Sequence, residues 1–299
     1  MDDYLRFLAV AEHRNISRAA EALNISQPAL SRTIRLLEDR YGTPLFERTP
    51  QGVELSDAGK TLYIYASRAV RALKNAREDI DHSLHQTRLI LPICSGDSWG
   101  YGILPHVIES YRRENPEVSI HLDVIEHDAR MRGLETRRHD VAFGVISPEY
   151  LEGGAYSFEP IICAKYDIYC DASHPLLRQQ RITEADLLAE SWINHKFEYD
   201  YDPSSALRSR RRYVLRTNAL VPAIEALRGS RLLISTAKTL GALFARSGIV
   251  RLTEDGESPD FVSGVISQQS APLRPHTRRF IAAVRAYCQA QGFRADAKS

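Results

Sequence analysis

The chain reads as a winged helix-turn-helix, then a long linker helix, then a larger α/β domain. Three observations lead there. A pair of short helices with a tight turn lies between Arg18 and Glu38, an apolar seam runs from Asp57 to His85, and strands alternate with helices from Arg88 onward.

The helical pair comes first. Ala19 and Ala20 leave room for a second helix to cross closely, and Leu23, Ile25, Leu30, Ile34 and Leu37 fall on spacings that bury one face of the pair. Asn24 sits where the chain must turn, and Asn tolerates a left-handed backbone better than most residues. Ser26 is placed to cap the next helix, with Pro28 tolerated in its first turn. Asp2 to His13 reads as an earlier helix, Asn15-Ile16-Ser17 as a break, and Ser17 as the cap of the second helix. Tyr41-Gly42-Thr43-Pro44 turns the chain. Leu45 to Arg48 and Gly52 to Leu55 then read as two wing strands joined at Thr49-Pro50-Gln51, and Ser56 as the cap of the long helix.

In that helix Leu62, Ala66, Ala69, Leu73, Ala76, Ile80 and Leu84 recur at intervals of three and four, close to an a/d seam. A helix spanning roughly 42 Å at 1.5 Å per residue is too long for a small domain to cover, so pairing with a second copy is expected.

From Arg88, RLILPIC reads as a buried strand, GILPHVIESYRREN as a helix stopped by Pro116, VSIHLDVI as a strand, Arg130 to Arg138 as helical and DVAFGV as a strand. Later come IICAKYDIYCD, a turn at Ser173-His174-Pro175, a helix from Thr183 to Ala189, YVLRTN, the helical Leu220 to Leu227, and RLLIST. FVSGVIS and a helix from Thr277 to Gln289 are expected to return to the first unit. The alternation predicts a parallel sheet.

Length and composition set bounds. At 299 residues two or three units are expected, and apolar and charged contents of 43% and 26% argue against disorder. The net charge of +1 gives no global nucleic-acid signal, and the first sixty residues carry eight Lys/Arg against nine Asp/Glu. DNA binding must then rest on local placement of arginines and gain from dimers. No secretory signal or membrane-length apolar run is read, and four scattered cysteines without a CxxC pair fit a reducing compartment, so a cytoplasmic location is expected. No HExxH, phosphate loop or metal-ligand cluster is present, so neither catalytic nor metal residues are assigned, and no cofactor is expected.

A family resemblance adds to this reading. FLAVAEHRNISRAAEALNISQPALSRTIRLLEDRYGTPLFERT, from Phe7 to Thr49, and VELSDAGK, from Val53 to Lys60, resemble the N-terminal domain of LysR-type transcriptional regulators. More patchily, ILPHVIESYRRENPEVSIHL, HDVAFGV, SHPL, ITEADL with SWI, and RPHTRRFIAAVRAY look like that family's effector-binding domain. The resemblance implies two α/β lobes that cross over twice, as in periplasmic solute-binding proteins, with a small molecule in the cleft between them. The expected organisation is a DNA-binding domain over 1–60, a linker and dimerisation helix over 57–86, and an effector domain over 88–299. Lobe I would take about 88–162 and 267–299, and lobe II about 163–266.

For DNA, Gln27 pairs naturally with adenine and Arg32 with guanine, while Pro28 and Ala29 offer apolar surface to a thymine methyl. Arg35 suits a phosphate, which positions without specifying. The resemblance supports Gln27, Pro28 and Ser31 in the major groove and Arg48 of the wing near the backbone or minor groove. It also implies pairing through Leu62, Ala66, Ala69, Leu73, Ala76 and Ile80.

For the effector, Ser95-Gly96-Asp97-Ser98-Trp99 joins a strand to a helix, at the carboxyl-end crevice where open α/β sheets bind ligands. In the family this loop presents hydroxyls to a carboxylate or similar group, and Ser98 falls on the usual position. Gly96 and Asp97 depart from the pattern, and Asp97 would repel an anion or select an amine. Trp99 either stacks on a ring or packs. His127, Ser147, His195, Phe197 and Thr217 are carried over by position. The basic run Arg208, Arg210, Arg211, Arg212 and Arg216 reads as a solvated face, with an anionic ligand or a subunit contact as the alternative.

The resemblance thus implies a regulator that binds double-stranded promoter DNA as a homodimer or homotetramer and answers to a small-molecule effector, with a carboxylate as one candidate. A contact with RNA polymerase is allowed, and no membrane partner is expected. Three alternatives stay open: a regulator independent of metabolites, one responding through thiols among Cys94, Cys163 and Cys170, and a solute-binding protein or enzyme.

Overall fold

The computed structural model describes residues 2–50, 52–85, 88–152, 154–195, 210–256, 261–269 and 273–295. They form two compact units, Met1–Ile90 with Met131–Asp140, and Leu91–Arg130 with Val141–Ser299.

The first unit opens with α1 (Asp2–His13), α2 (Ile16–Ala22) and α3 (Gln27–Tyr41), followed by β1 (Phe46–Thr49), β2 (Gly52–Leu55) and α4 (Asp57–His85). Local chemistry sets these boundaries. Arg14 takes a left-handed φ of 48° and ends α1. The cap of α2 is Asn15 rather than Ser17: Asn15 is extended and its side chain accepts the Arg18 N–H at 3.1 Å, which leaves Ser17 inside the first turn. Asn24 carries the expected left-handed turn at φ 53°. Ser26 caps α3 by accepting the Ala29 N–H, and Ser56 caps α4 by accepting the Gly59 N–H at 3.0 Å.

Phe7, Val10, Ala19, Ala20, Leu30 and Leu37 make the core of this unit. Ala66 is buried in the same core and Leu62 packs against it. These two members of the predicted seam therefore anchor α4 to its own domain. Beyond them Ala69, Leu73, Ala76, Ile80 and Leu84 are exposed.

The second unit holds two five-stranded sheets. One has the order β4-β3-β5-β12-β6, with β3 (Leu89–Ser95), β4 (Val118–Val124), β5 (Val141–Gly144), β6 (Tyr156–Ala164) and β12 (Phe261–Gln268). The other has the order β11-β7-β10-β8-β9, with β7 (Tyr166–Asp171), β8 (Ser191–His195), β9 (Arg212–Thr217), β10 (Leu232–Ala237) and β11 (Ile249–Glu254).

The expectation of parallel sheets needs correcting. β3 and β5 are parallel, as are β8 with β10 and β9, but β12 runs antiparallel to β5 and β6, and β7 antiparallel to β10 and β11. The cause is the double crossing. The chain leaves the first sheet at Lys165 and returns to it with β12, and each arriving strand inserts against the local direction. The crossings also place Cys163, Ala164 and Phe261 to Ile266 in the first sheet, whereas the sequence reading put them in lobe II.

Helices α5 (Asp97–Gly102), α6 (Leu104–Glu114), α7 (His127–Glu135) and α8 (Pro148–Glu152) join the strands of the first sheet, α9 (Glu184–Ala189), α10 (Leu220–Leu227) and α11 (Gly241–Arg246) those of the second, and α12 (Pro275–Ala290) closes the chain. Helix α7 starts at His127, three residues earlier than expected. It therefore turns His127, Arg130, Met131 and Leu134 to one buried face at the i, i+3, i+4, i+7 spacing. No helix among the described residues is long and apolar enough to cross a membrane.

Candidate functional site

Two places in the molecule gather the side chains singled out above. The first is the outer face of α3. Leu30, Thr33, Ile34 and Leu37 fix its inner face in the core, so the 3.6-residue period turns Gln27, Pro28, Ala29, Arg32 and Arg35 outward, all exposed, with Ser31 half-buried. Gln27 Nε2 donates to Ser31 Oγ at 3.1 Å, which orients the amide along the helix. Arg48 is exposed on β1. Arg32, Arg35 and Arg48 make no ion pair among the described residues, so each guanidinium is available to an outside anion. A helix that bares an amide, a hydroxyl and two arginines on one stripe can donate to base edges and phosphates together.

The second place is a cavity of about 80 Å³ in the second unit. It opens at the carboxyl end of β3, beside α5, and its far wall comes from the second sheet through His195 at the end of β8 and Ser235 in β10. Of the predicted ligand contacts, Ser98, Trp99 and His195 line it. Trp99 is fully buried, donates from Nε1 to Ser263 Oγ at 2.7 Å, and tilts against Phe143 at 5.3 Å between centroids, so its role is packing.

The other predicted contacts do not line the cavity. Ser95 is buried directly behind it at the end of β3, its Oγ without a hydrogen-bond partner among the described residues. His127 is buried against Tyr150, with Nδ1 3.4 Å from Asp128. Ser147 bonds through its carbonyl to the Tyr150 N–H. Thr217 turns its hydroxyl onto the Ala219 backbone, as its place in a tight turn dictates. Phe197 lies outside the described residues.

The charges here were only partly foreseen. Asp97 Oδ2 stands 3.1 Å from His195 Nε2, and both side chains are at least nine-tenths buried, so one sheet's loop meets the other sheet's strand end. Arg130 also lines the cavity and is 3% exposed. Its Nη1 donates to the Ile125 carbonyl at 2.9 Å, while Nε is buried without a partner. The signal that could have found it is periodicity, because an arginine three residues after His127 and four before Leu134 falls on the core side of α7. Asp97 also borders a wider depression of about 360 Å³ with Tyr101, Glu126 and Asn218 to Val221, which has no Lys or Arg in its lining.

The basic run has a structural explanation in Arg211. Its guanidinium is buried, pairs in a bidentate fashion with Asp255 at 2.9 and 3.1 Å, and lies 4.0 Å over the Trp192 ring. Arg210 pairs with Glu184, and Arg212 donates to Ser191. Arg208 lies outside the described residues.

Among the cysteines, Cys163 and Cys170 belong to different sheets. Burial, with Asp171 adding to it, pushes the Cys170 thiol up to about 12, and burial raises that of Cys288 to about 11. Both are protonated and unreactive at neutral pH. Among the described residues no group of three or more His, Cys, Asp or Glu could hold a metal ion.

Residues 1–60 match the model of the bacterial regulatory helix-turn-helix protein, lysR family, and residues 85–289 that of the LysR substrate binding domain. The HTH-type transcriptional regulator GbpR of Azospirillum brasilense is 27% identical over 94% of this chain and 84% of its own length. The DNA-binding transcriptional dual regulator OxyR of Escherichia coli is 26% identical over 93% and 92%. Among solved structures, full-length OxyR from Pseudomonas aeruginosa superposes with a TM-score of 0.70 at 18% identity, covering 100% of this chain and 99% of that one. CbnR, a LysR family transcriptional regulator, has a TM-score of 0.69 at 19% identity over 96% and 98%; it has also been solved with its target DNA. These relatives are named as transcriptional regulators, not enzymes. The two matched models follow the order of the two sites, with residues 61–84 between them, and with them the chain belongs to the LysR family of bacterial transcriptional regulators.

Proposed function

We propose that this regulator reads a dyad-symmetric promoter site through α3 as a cytoplasmic homo-oligomer, and that a small-molecule effector in the cavity beside α5 alters its hold on DNA. The observation that carries the reading is the outer face of α3, where Gln27, Pro28, Ala29, Arg32 and Arg35 share one exposed stripe and the arginines have no ion pair among the described residues. The relative solved on its target DNA supports the assignment of this domain. Gln27 and Arg32 would contact bases, Arg35 and Arg48 the backbone or minor groove, and Ser31 would hold Gln27 in place. The near-neutral charge of the first sixty residues makes a single head weak, and two heads on paired α4 helices compensate. No cofactor takes part in this scheme. An effector shifts the equilibrium only by binding one lobe arrangement better than the other.

The experiment compares Gln27→Ala and Arg35→Ala on specific and random duplexes across a salt series. Gln27→Ala should lose preference for the specific site. Arg35→Ala should weaken both duplexes alike and lower the salt slope by about 1. Equal losses on both duplexes from Gln27→Ala would refute base reading by this face.

A further inference from the structure

Arg130 is a buried cation on the wall of the cavity. Its side chain has no ion pair among the described residues, its Nε has no hydrogen-bond partner, and only Nη1 is satisfied, by the Ile125 carbonyl. Two backbone stretches make way for it. A Cβ on Gly96 would stand 3.2 Å from Nη1, and one on Gly144 3.0 Å from Nη2. A buried charge without a paired counter-ion is destabilising, so an anion that enters the cavity gains a partner in Arg130. With Nη1 bonded to the Ile125 carbonyl and Nε buried, Nη2 is the nitrogen left to donate to a ligand carboxylate.

We propose that the cavity takes a small aliphatic monocarboxylate whose carboxylate pairs with Arg130. This rests on the reading of the cavity as the effector site and names its ligand class. Charge and volume set the limits. Asp97 holds a carboxylate against the same cavity, beside His195, so a ligand with a second carboxylate would bring two like charges together. The volume of about 80 Å³ is roughly half the ~150 Å³ that accommodates benzene in an apolar cavity, which disfavours an aromatic acid in this arrangement of the lobes. The wider depression next to Asp97 is lined by Asp97 and Glu126 without a Lys or Arg, so it does not compete for an anion. Ser98 and Ser263 supply hydroxyls for a ligand oxygen.

The test uses the full chain, thermal unfolding and DNA affinity, with propionate, lactate and pyruvate as probes. Propionamide, succinate and benzoate are the neutral, dianionic and aromatic controls. At least one monocarboxylate should raise Tm while propionamide does not. Arg130→Gln should weaken that ligand at least ten-fold, and Arg130→Lys, which keeps the charge, by less. Without ligand, Arg130→Gln should melt as high as the parent or about 2–4 °C higher, because a neutral amide removes the uncompensated charge. A structural role would instead lower the melting point.

Propionamide acting as well as propionate, or binding that survives Arg130→Gln yet is lost in Ser98→Ala, would overturn the carboxylate assignment and leave the cavity as the effector site. Succinate or benzoate binding more tightly than every monocarboxylate would overturn it likewise. A lower melting point for ligand-free Arg130→Gln, with no monocarboxylate bound, would make Arg130 structural. A panel in which no molecule moves either Tm or DNA affinity overturns the proposal and counts against the effector reading as well.

Discussion

Glu38, near the end of α3, accepts the backbone N–H of Leu45 on its Oε1 at 2.9 Å and that of Phe46 at 3.3 Å. The contact ties the helix that would read the major groove to the start of the wing that carries Arg48. Leu45 is buried and Phe46 packs against the same core, so the carboxylate sits where apolar packing alone would leave two donors to find partners. A carboxylate that accepts two N–H groups sets the angle between helix and wing more firmly than apolar contact does, because hydrogen bonds are directional.

Glu38→Ala should therefore loosen the wing before it loosens α3. The expected cost is about 1.5–3 kcal/mol, the usual value for hydrogen bonds to a charged group, and Glu38→Gln should lose less because the amide oxygen still accepts. Both tryptophans, Trp99 and Trp192, lie in the other unit and will not report this change. Amide hydrogen exchange at Leu45 and Phe46 will, and should accelerate selectively in Glu38→Ala, with a parallel loss of DNA affinity. Unchanged exchange there would show that packing alone holds the wing.

The linker helix carries a second expectation. α4 has 29 residues, about 43 Å at 1.5 Å per residue, and beyond Ala66 its seam is bare: Leu73, Ile80 and Leu84 are 54%, 56% and 68% exposed. Apolar side chains at this spacing, alternating with the small Ala69 and Ala76, suit close pairing with a second α4. Leu73→Glu combined with Ile80→Glu should turn a dimer into a monomer in sedimentation experiments. It should also cut DNA affinity by about 10² or more, since the advantage of two linked heads is lost. Leu62→Glu should instead destabilise the first unit, because Leu62 packs against its core. A double variant that still sediments as the parent would remove the seam from the interface.

Much of this architecture is written in local rules. Ser26, Pro28 and Asn24 announce α3 and the turn before it, and the three-four spacing announces α4 to its last residue. The wing follows from its turn residues. What escaped needs neighbours distant in the chain. Asp97 meets His195 across nearly a hundred residues, and neither announces the other. Arg211 looks like one charge in a solvated run, and only Trp192 and Asp255, brought in by the second sheet, make it a core residue. Strand direction was misjudged for the same reason, because the double crossing between sheets leaves no periodic mark. Arg130 lies in between: placing the start of α7 three residues late hid an arginine on a core-facing position that the helical period would have exposed.

The Arg211–Asp255 pair permits a direct test of that burial. Both side chains are 1% exposed, the guanidinium stacks on Trp192, and Ser235 also donates to Asp255. Asp255→Ala leaves a buried cation without its partner and should cost about 3–5 kcal/mol, whereas an apolar pair such as Arg211→Met with Asp255→Leu should recover most of the loss. Urea unfolding followed by tryptophan fluorescence reads the change where it occurs, since Trp192 is the ring beneath the pair. A cost under about 1 kcal/mol for Asp255→Ala would mean that water reaches the pair in solution.

Asp171 offers a pH test with a definite sign. Its Oδ1 accepts the Ser173 hydroxyl and, at 2.9 Å, the Ser173 N–H, while Oδ2 accepts the Gly229 N–H at 2.7 Å. These bonds, the Ser173 hydroxyl first, hold the carboxyl at about 2. An unfolded Asp titrates near ~3.9, so the folded state binds the proton more weakly than the unfolded one. The stabilisation is then complete above about pH 4 and disappears as the pH falls through about 2. A carboxyl chemical-shift titration should give Asp171 a midpoint near that lower value, and Asp171→Asn should flatten this part of the acid-unfolding curve. Ser173→Ala should move the midpoint back up, because it removes the first of the three donors. A parent midpoint close to that of a free aspartate would show that the turn from Asp171 to Ser173 does not hold the Gly229 backbone in solution.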